Sequence, residues 1–300
     1  MLEPGFAVTG LLTGLREGVE AALIVAIILS YLVRTGNGRH AGRIALGVLA
    51  AVLGSAVVGT AIWLSVGGLS SPYEQVFEGL AMLLAAAVVT WMLFWMRRQA
   101  ASVRGDLQFR VDRALSEGGA WALAALAFTA VVREGIETSI FLVGLTTSAG
   151  TSVGAGSGGE FGPGAGSVLV GALVGLLIAV GLGYGFYRGA RLIDLRRFFR
   201  WTGVALVFIA AGLLSRAVHE FVEIGVIGLG NGVAFDVSAL LPHETGIGQF
   251  LRAILGYTSQ PEWVTLLSWT GYVAGVLWLY LRPMRPRSSP PAEAPQPVSD

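Results

Sequence analysis

Long apolar runs dominate the chain. Seven of them approach the roughly 20 residues that cross about 30 Å of hydrocarbon as a helix: Phe6–Leu32, Ile44–Val66, Val76–Met96, Ala120–Leu145, Val168–Tyr187, Thr202–Val218 and Trp263–Leu281. The pattern predicts an all-α polytopic membrane protein with seven transmembrane helices. Between the last two runs, residues 224–262 form the longest connection, with a short amphipathic helix expected over Ile247–Leu255. Residues 146–167 are glycine-rich and read as a linker; with no lysine and no preceding strand they are no phosphate cradle. The segment from Pro283 is proline-rich and expected to be disordered, so residues 1–282 are one domain and 283–300 its tail.

Composition narrows the class. Hydrophobic side chains make up 54% and charged ones 13%, the latter about half the usual fraction near 25%. With a mean hydropathy of +0.70, this excludes a soluble globular enzyme and a disordered chain. All 20 basic residues are arginine, so the chain lacks the lysine of a Walker-type phosphate loop. There is no cysteine, hence no disulfide and no thiolate metal site. The N-terminus, Met1-Leu2-Glu3-Pro4, has no basic region, so the first run reads as a span rather than a signal peptide.

Charge also orients the chain. Sixteen arginines fall in one alternating set of connections, from Arg34 and Arg39 through Arg97 and Arg188 to Arg287, and only Arg216 and Arg252 in the other. By the positive-inside rule the N-terminus is outside and the C-terminus inside.

The chain repeats itself. Leu15-Arg16-Glu17-Gly18-Val19-Glu20-Ala21 in the first run matches Val132-Arg133-Glu134-Gly135-Ile136-Glu137-Thr138 in the fourth, 117 residues later. Three spans followed by three of opposite sense make an inverted repeat (about 6–96 and 120–218), with the seventh span, 263–281, left over. Such architecture belongs mainly to transporters, with the substrate site near the midplane.

Each copy sets an arginine and two glutamates in mid-helix, where one charge costs roughly 2.5–3.5 kcal/mol on insertion scales. These residues must therefore face the bundle interior. Glu17 and Glu20 are i,i+3, Arg16 and Glu20 are i,i+4, and the second copy is spaced alike. A purely structural clasp needs one glutamate per arginine; here there are two, twice. The surplus of two negative charges invites a cation, and the all-oxygen ligand set suits a hard one such as Mg²⁺, Ca²⁺, Mn²⁺ or iron. Gly10, Gly14 and Gly18 mark a close-packing face on the same helix.

Other acidic residues cluster at the outer ends of spans. Glu74 and Glu78 open the third run, while His219, Glu220 and Glu223 close the sixth. Glu78, Glu220 and Glu223 read as a cation funnel, against the plainer reading of interfacial charge. Asp236, His243 and Glu244 in the outer connection are further candidates for collecting metal. His40 reads as surface, and Met82, Met92 and Met96 as packing. Seven tryptophans, Trp95 among them, read as interfacial anchors.

The doubled Arg-Glu-x-x-Glu motif in the first and fourth of seven spans resembles the oxidase-dependent iron permeases, both the fungal high-affinity ferric and the bacterial EfeU-type. So does His219-Glu220-Phe221-Val222-Glu223. The resemblance spans about residues 1–282 and implies a permease of the cytoplasmic (inner) membrane, not an enzyme. It implies that Glu17, Glu20, Glu134 and Glu137 bind iron in transit, with Arg16 and Arg133 as supports. Iron is then substrate, as Fe³⁺ after outside oxidation or as Fe²⁺, with no permanently bound cofactor. The partners implied are the lipid bilayer and an extracytoplasmic iron-binding lipoprotein with a haem peroxidase, or a ferroxidase. No nucleic-acid partner is expected. The rival readings are a transporter of another divalent metal (Mn²⁺ or Pb²⁺), an intramembrane carboxylate enzyme, and a non-transporting scaffold.

Overall fold

The computed structural model describes residues 3–66, 73–99, 103–151, 163–189, 194–228, 230–243 and 246–282. The described residues form nine α-helices: α1 (Pro4–Arg34), α2 (Ala41–Val66), α3 (Tyr73–Gln99), α4 (Val103–Arg113), α5 (Gly119–Thr151), α6 (Pro163–Tyr187), α7 (Leu195–Glu223), α8 (Gly246–Leu255) and α9 (Trp263–Leu281). Their only β contact is one isolated antiparallel bridge, Val233 with Glu262. Five stretches are long and apolar enough to cross a membrane: Gly38–Ile62, Gln75–Met96, Gly164–Tyr187, Arg197–Glu223 and Trp263–Leu281. The protein is thus a polytopic membrane protein. The two longest helices, α1 with 31 residues and α5 with 33, are outside that set, and each carries the arginine and two glutamates of one motif.

Local signals fix the helix ends. Pro4 sits in the first turn of α1, where its missing N–H costs no helical hydrogen bond. At the other end Gly36 adopts φ 77°, and the amides of Gly36 and Asn37 reach back to the carbonyls of Val33 and Leu32. Gly225 closes α7 in the same way, with φ 76° and Val226 N–H donating to the Phe221 carbonyl. Both ends use the left-handed residue that satisfies the last carbonyls.

The main pairings are α1 with α6, α2 with α5, α3 with α7, and α7 with α9. Small residues let the first two pairs approach at backbone distance. A methyl group on Gly10 would meet the Val168 backbone, and one on Gly14 the Ala172 backbone. Six further contacts form three matched pairs. Gly171 lies on Ala7 as Gly47 lies on Ala124; Gly18 lies on Ala179 as Gly135 lies on Ser55; Gly183 lies on Ala22 as Gly59 lies on Ser139. In every pair the α1 and α5 members are 117 residues apart and the α2 and α6 members 124 apart. Between these two helix pairs, α3, α5 and α7 share a core of Met82, Ala86, Val89, Phe141, Leu206 and Leu213. The outer faces of α2 and α6 expose apolar rows, among them Leu49 and Leu53, and Leu173 and Leu177, as helices facing lipid require.

Two short helices close the bundle. In α8, the length expected for 247–255, Ala253 accepts from Thr9 Oγ1 at 3.1 Å and Leu255 from Trp269 Nε1 at 2.6 Å. These bonds tie α8 to α1 and α9. Residues 97–113, read from sequence as a charged connection, instead contain α4, which runs through a π-turn at Ala114–Gly118 into α5. Leu107 and Val111, one turn apart, pack on Ile28, Leu32, Ile44 and Leu123, and Tyr31 donates to Asp112 at 2.7 Å. The glycine-rich stretch 152–162 and the tail 283–300 lie outside the described residues.

Close approach at Gly10 sets a first expectation. Gly10→Ala should destabilise the protein by about 1–3 kcal/mol, the usual cost of overpacking. Gly42→Ala, where a methyl group meets nothing, should be neutral or slightly stabilising. Thermal unfolding in detergent followed by far-UV circular dichroism checks this; equal midpoints for the two variants would contradict it.

Candidate metal centre

Helical spacing and the glycine inside each motif place the charged groups. Gly18 and Gly135 seat α1 and α5 against α6 and α2, and α1 and α5 also pack on each other. All four motif glutamates are buried. Glu17, Glu134 and Glu137 each offer a carboxylate oxygen, and these oxygens lie within 4.8 Å of one another. Two helices from distant parts of the sequence thus build one three-carboxylate cluster.

The arginines hold this cluster unequally. Arg16 is 2% exposed; its Nη1 lies 3.3 Å from Glu17 Oε1 and its Nε 3.4 Å from Glu20 Oε1. Arg133 is 37% exposed, with Nε 3.1 Å from Glu137 Oε1 and 4.0 Å from Glu134 Oε1. Glu20 pairs with Arg16 and is not one of the three carboxylates that meet within 4.8 Å. Glu17 Oε2 is buried with no hydrogen-bond partner, an arrangement that is costly unless something positive completes it. Three mutually close carboxylates, one with an unsatisfied oxygen, make a donor set that fits a hard or borderline cation.

A single turn of α3 holds the far side of both guanidinium groups. Arg16 Nη1 donates to Met92 Sδ at 3.7 Å and Nη2 to Met96 Sδ at 3.1 Å. Arg133 Cζ stands 3.8 Å above the centre of the Trp95 ring. Met92 and Met96, read from sequence as packing, also act as acceptors, and Trp95 faces the site rather than serving as an interfacial anchor. Met82 is plain core.

The remaining candidates gather where α7 ends. Gly79, next to Glu78, faces Phe221 and Glu220, so the start of α3 adjoins the end of α7. Glu220 is buried, Glu78 half-buried and Glu223 exposed. His219 Nδ1 pairs with Glu262 Oε1 at 3.3 Å, and Thr265 donates to the other oxygen of Glu262 at 2.9 Å. Asp236 accepts from the Ser238 hydroxyl at 2.6 Å, the Ser238 amide at 2.9 Å and Gln260 at 2.8 Å. These bonds hold its carboxyl below the usual carboxylate range. His243 Nδ1 meets Ser259 Oγ at 2.5 Å. Asp236 and His243 thus staple residues 236–243 to 259–260. The side chain of Glu74 and all of Glu244 lie outside the described residues.

The model of the iron permease FTR1 family matches residues 7–284, nearly the whole chain. The chain belongs to the FTR1 iron permease family. It is similar to the ferrous iron permease EfeU of Escherichia coli O6:H1 (strain CFT073), with 36% identity over 273 residues, 90% of this chain and 94% of that one. The same protein from Yersinia pestis is 34% identical over 272 residues, 90% of this chain and 92% of that one. No solved structure matches the chain. As a member of a permease family, the protein is a transporter of iron and not an enzyme.

In this FTR1-family chain, four residues escape a reading of local pattern. Glu262, just before α9, pairs with His219; only the packing of α7 on α9 reveals it. The signal for Met92, Trp95 and Met96 was present but indirect. A buried guanidinium points five N–H donors in a fixed fork, so acceptors beyond the glutamates of its own helix were worth seeking.

Unequal burial yields a second expectation. Arg16→Met leaves Glu17 and Glu20 buried beside no counter-charge and should cost about 3–5 kcal/mol. Arg133→Met, at a partly exposed site, should cost clearly less. Thermal unfolding of both variants in detergent decides this, and an equal or reversed order would contradict the burial argument.

Proposed function

We propose that this permease carries ferrous iron inward across the cytoplasmic membrane, through a central site built by Glu17, Glu20, Glu134 and Glu137. The observation that carries this reading is the meeting of Glu17, Glu134 and Glu137 within 4.8 Å, with the second oxygen of Glu17 left without a partner. Four carboxylates against Arg16 and Arg133 leave a formal charge of −2, which Fe²⁺ neutralises. The relatives from Escherichia coli and Yersinia pestis are ferrous iron permeases by name. The ferric reading from the sequence would leave one positive charge uncompensated among buried groups.

Seven spans in an inverted 3+3 arrangement are the proposed architecture. The three matched pairs of contacts support it, because exchanging α1 with α5 and α2 with α6 maps each contact onto another. The segregation of arginines supports an outside N-terminus and an inside C-terminus. In this frame residues 1–282 are the permease domain, and Glu78, Glu220 and Glu223 stand at its outer mouth, where they gather cations. His219, Asp236 and His243 are peripheral to that mouth. An inside-negative potential draws a divalent ion inward by about 4.6 kcal/mol per 100 mV, taking about 2.3 for each charge. The delivery proteins implied by the family resemblance, a lipoprotein and a haem peroxidase, would act at the same mouth.

The test is uptake of radiolabelled iron into proteoliposomes under an inside-negative potential. Ascorbate-reduced and citrate-bound ferric iron are offered separately. The wild type should accumulate ferrous iron, and Glu17→Gln/Glu137→Gln should lose at least nine-tenths of that uptake while remaining folded. Undiminished uptake by this variant would remove the glutamates from the path. Preference for ferric citrate would reverse the assigned oxidation state, and an excess of Mn²⁺ that abolishes uptake would favour a broader divalent-metal carrier.

A further inference from the structure

Both motif arginines divide their contacts between a carboxylate and a neutral group on α3. Arg16 lies between Glu17 and the sulfurs of Met92 and Met96. Arg133 lies between Glu137 and the face of Trp95. Met92, Trp95 and Met96 are i, i+3 and i+4, so one turn of one helix receives guanidinium groups from both halves of the site. The carboxylates are duplicated, whereas this receiver is single. At the 124-residue offset that relates α2 to α6, α7 has Arg216, His219 and Glu220 where α3 has Met92, Trp95 and Met96. An arginine and a glutamate supply no neutral acceptor, and His219 is engaged by Glu262.

The chemistry of these receivers is selective. A thioether sulfur and an indole face both stabilise a guanidinium in a dry interior. Neither carries charge, so neither adds an anion that would bind the arginine permanently or compete for a metal ion. A carboxylate at the same place would do both.

We propose that Met92, Trp95 and Met96 are positioning residues that take up Arg16 and Arg133 when iron replaces them on the glutamates. The ion then exchanges with internal counter-charges instead of adding to them, and the displaced guanidinium groups remain in contact with acceptors they already touch. This inference rests on the reading that iron occupies the glutamate cluster, and it names the groups that set affinity there.

The experiment measures KM and Vmax for ferrous iron uptake in proteoliposomes. Met92→Leu/Met96→Leu keeps apolar bulk without the sulfurs; Met92→Gln/Met96→Gln restores neutral acceptors. Trp95→Leu removes the π face and Trp95→Phe keeps one. Without receivers the arginines stay on the glutamates and compete with iron. The leucine variants should therefore raise KM several-fold, about two- to fivefold for Trp95→Leu, the scale of a cation–π contact at a partly exposed site, with Vmax and thermal midpoint nearly unchanged. The glutamine pair and Trp95→Phe should return KM most of the way to wild type. Wild-type KM in both leucine variants, while Glu17→Gln/Glu137→Gln abolishes uptake, would overturn this inference and leave the path reading standing. Equal loss in the leucine and glutamine pairs, or in Trp95→Leu and Trp95→Phe, would reduce the role to packing and overturn it too. Uptake that survives Glu17→Gln/Glu137→Gln would overturn the path reading, and the inference with it.

Discussion

Six ionisable groups in the middle of two apolar helices, five of them buried and Arg133 37% exposed, constrain everything around them. At roughly 2.5–3.5 kcal/mol each on insertion scales, Arg16, Glu17, Glu20, Arg133, Glu134 and Glu137 would cost on the order of 15–20 kcal/mol in lipid. They have to be enclosed by protein, and α1 and α5 therefore run inside the bundle. That also explains why α1 and α5, although the longest helices, are not among the five stretches apolar enough to span by composition. Enclosure demands close neighbours, and the glycines supply them. With Gly10, Gly14 and Gly18 the α1 backbone comes down onto α6, and with Gly135 the α5 backbone comes down onto α2. Hydrophobic driving force between helices is lacking in lipid, so such contact is what holds the pairs together.

Enclosure leaves an electrostatic remainder. Two arginines cannot neutralise four carboxylates, and the three oxygens gathered within 4.8 Å repel one another in a medium that screens poorly. A protein selected only for stability would replace such a cluster with apolar side chains, since buried ion networks seldom repay their desolvation. Its persistence at the meeting of the two halves fits the transport of a cation that supplies the missing charge. The same reasoning separates the centre from the periphery. Asp236 is engaged by Ser238 and Gln260, and His219 by Glu262, so these outer polar groups are satisfied by the fold itself.

Much of this was legible in the sequence, for reasons that also define where legibility ended. Apolar runs and the doubled motif are local or directly repeated patterns, and they locate α1, α2, α3, α5, α6, α7 and α9 and the four glutamates. The 3.6-residue spacing also located α8. Residues 103–113 were missed because their arginines and aspartates outweigh Leu107 and Val111, the buried apolar positions among the described side chains of that helix. The holders of the arginines were missed for a different reason. Met92, Trp95 and Met96 form an ordinary apolar turn of α3, and only the packing of α1 and α5 against that turn gives them a role. Local pattern reports what a helix buries; it does not report which helix it buries it against.

The two halves of the centre are alike in sequence and unlike in environment, and the difference comes from outside the motif. Arg16 is 2% exposed and gripped by two sulfurs, whereas Arg133 is 37% exposed and rests on one ring. A cation shared between two identical carboxylate pairs has no reason to prefer either. Once the arginine on one side is locked and that on the other is partly solvated, the pairs hold their carboxylates with different firmness. The neighbour responsible is α3, which touches both arginines, while α7 carries Arg216, His219 and Glu220 at the repeat offset. A repeated motif can therefore supply two like ligand sets, and the one turn of α3 that meets both arginines is what places them in unlike surroundings.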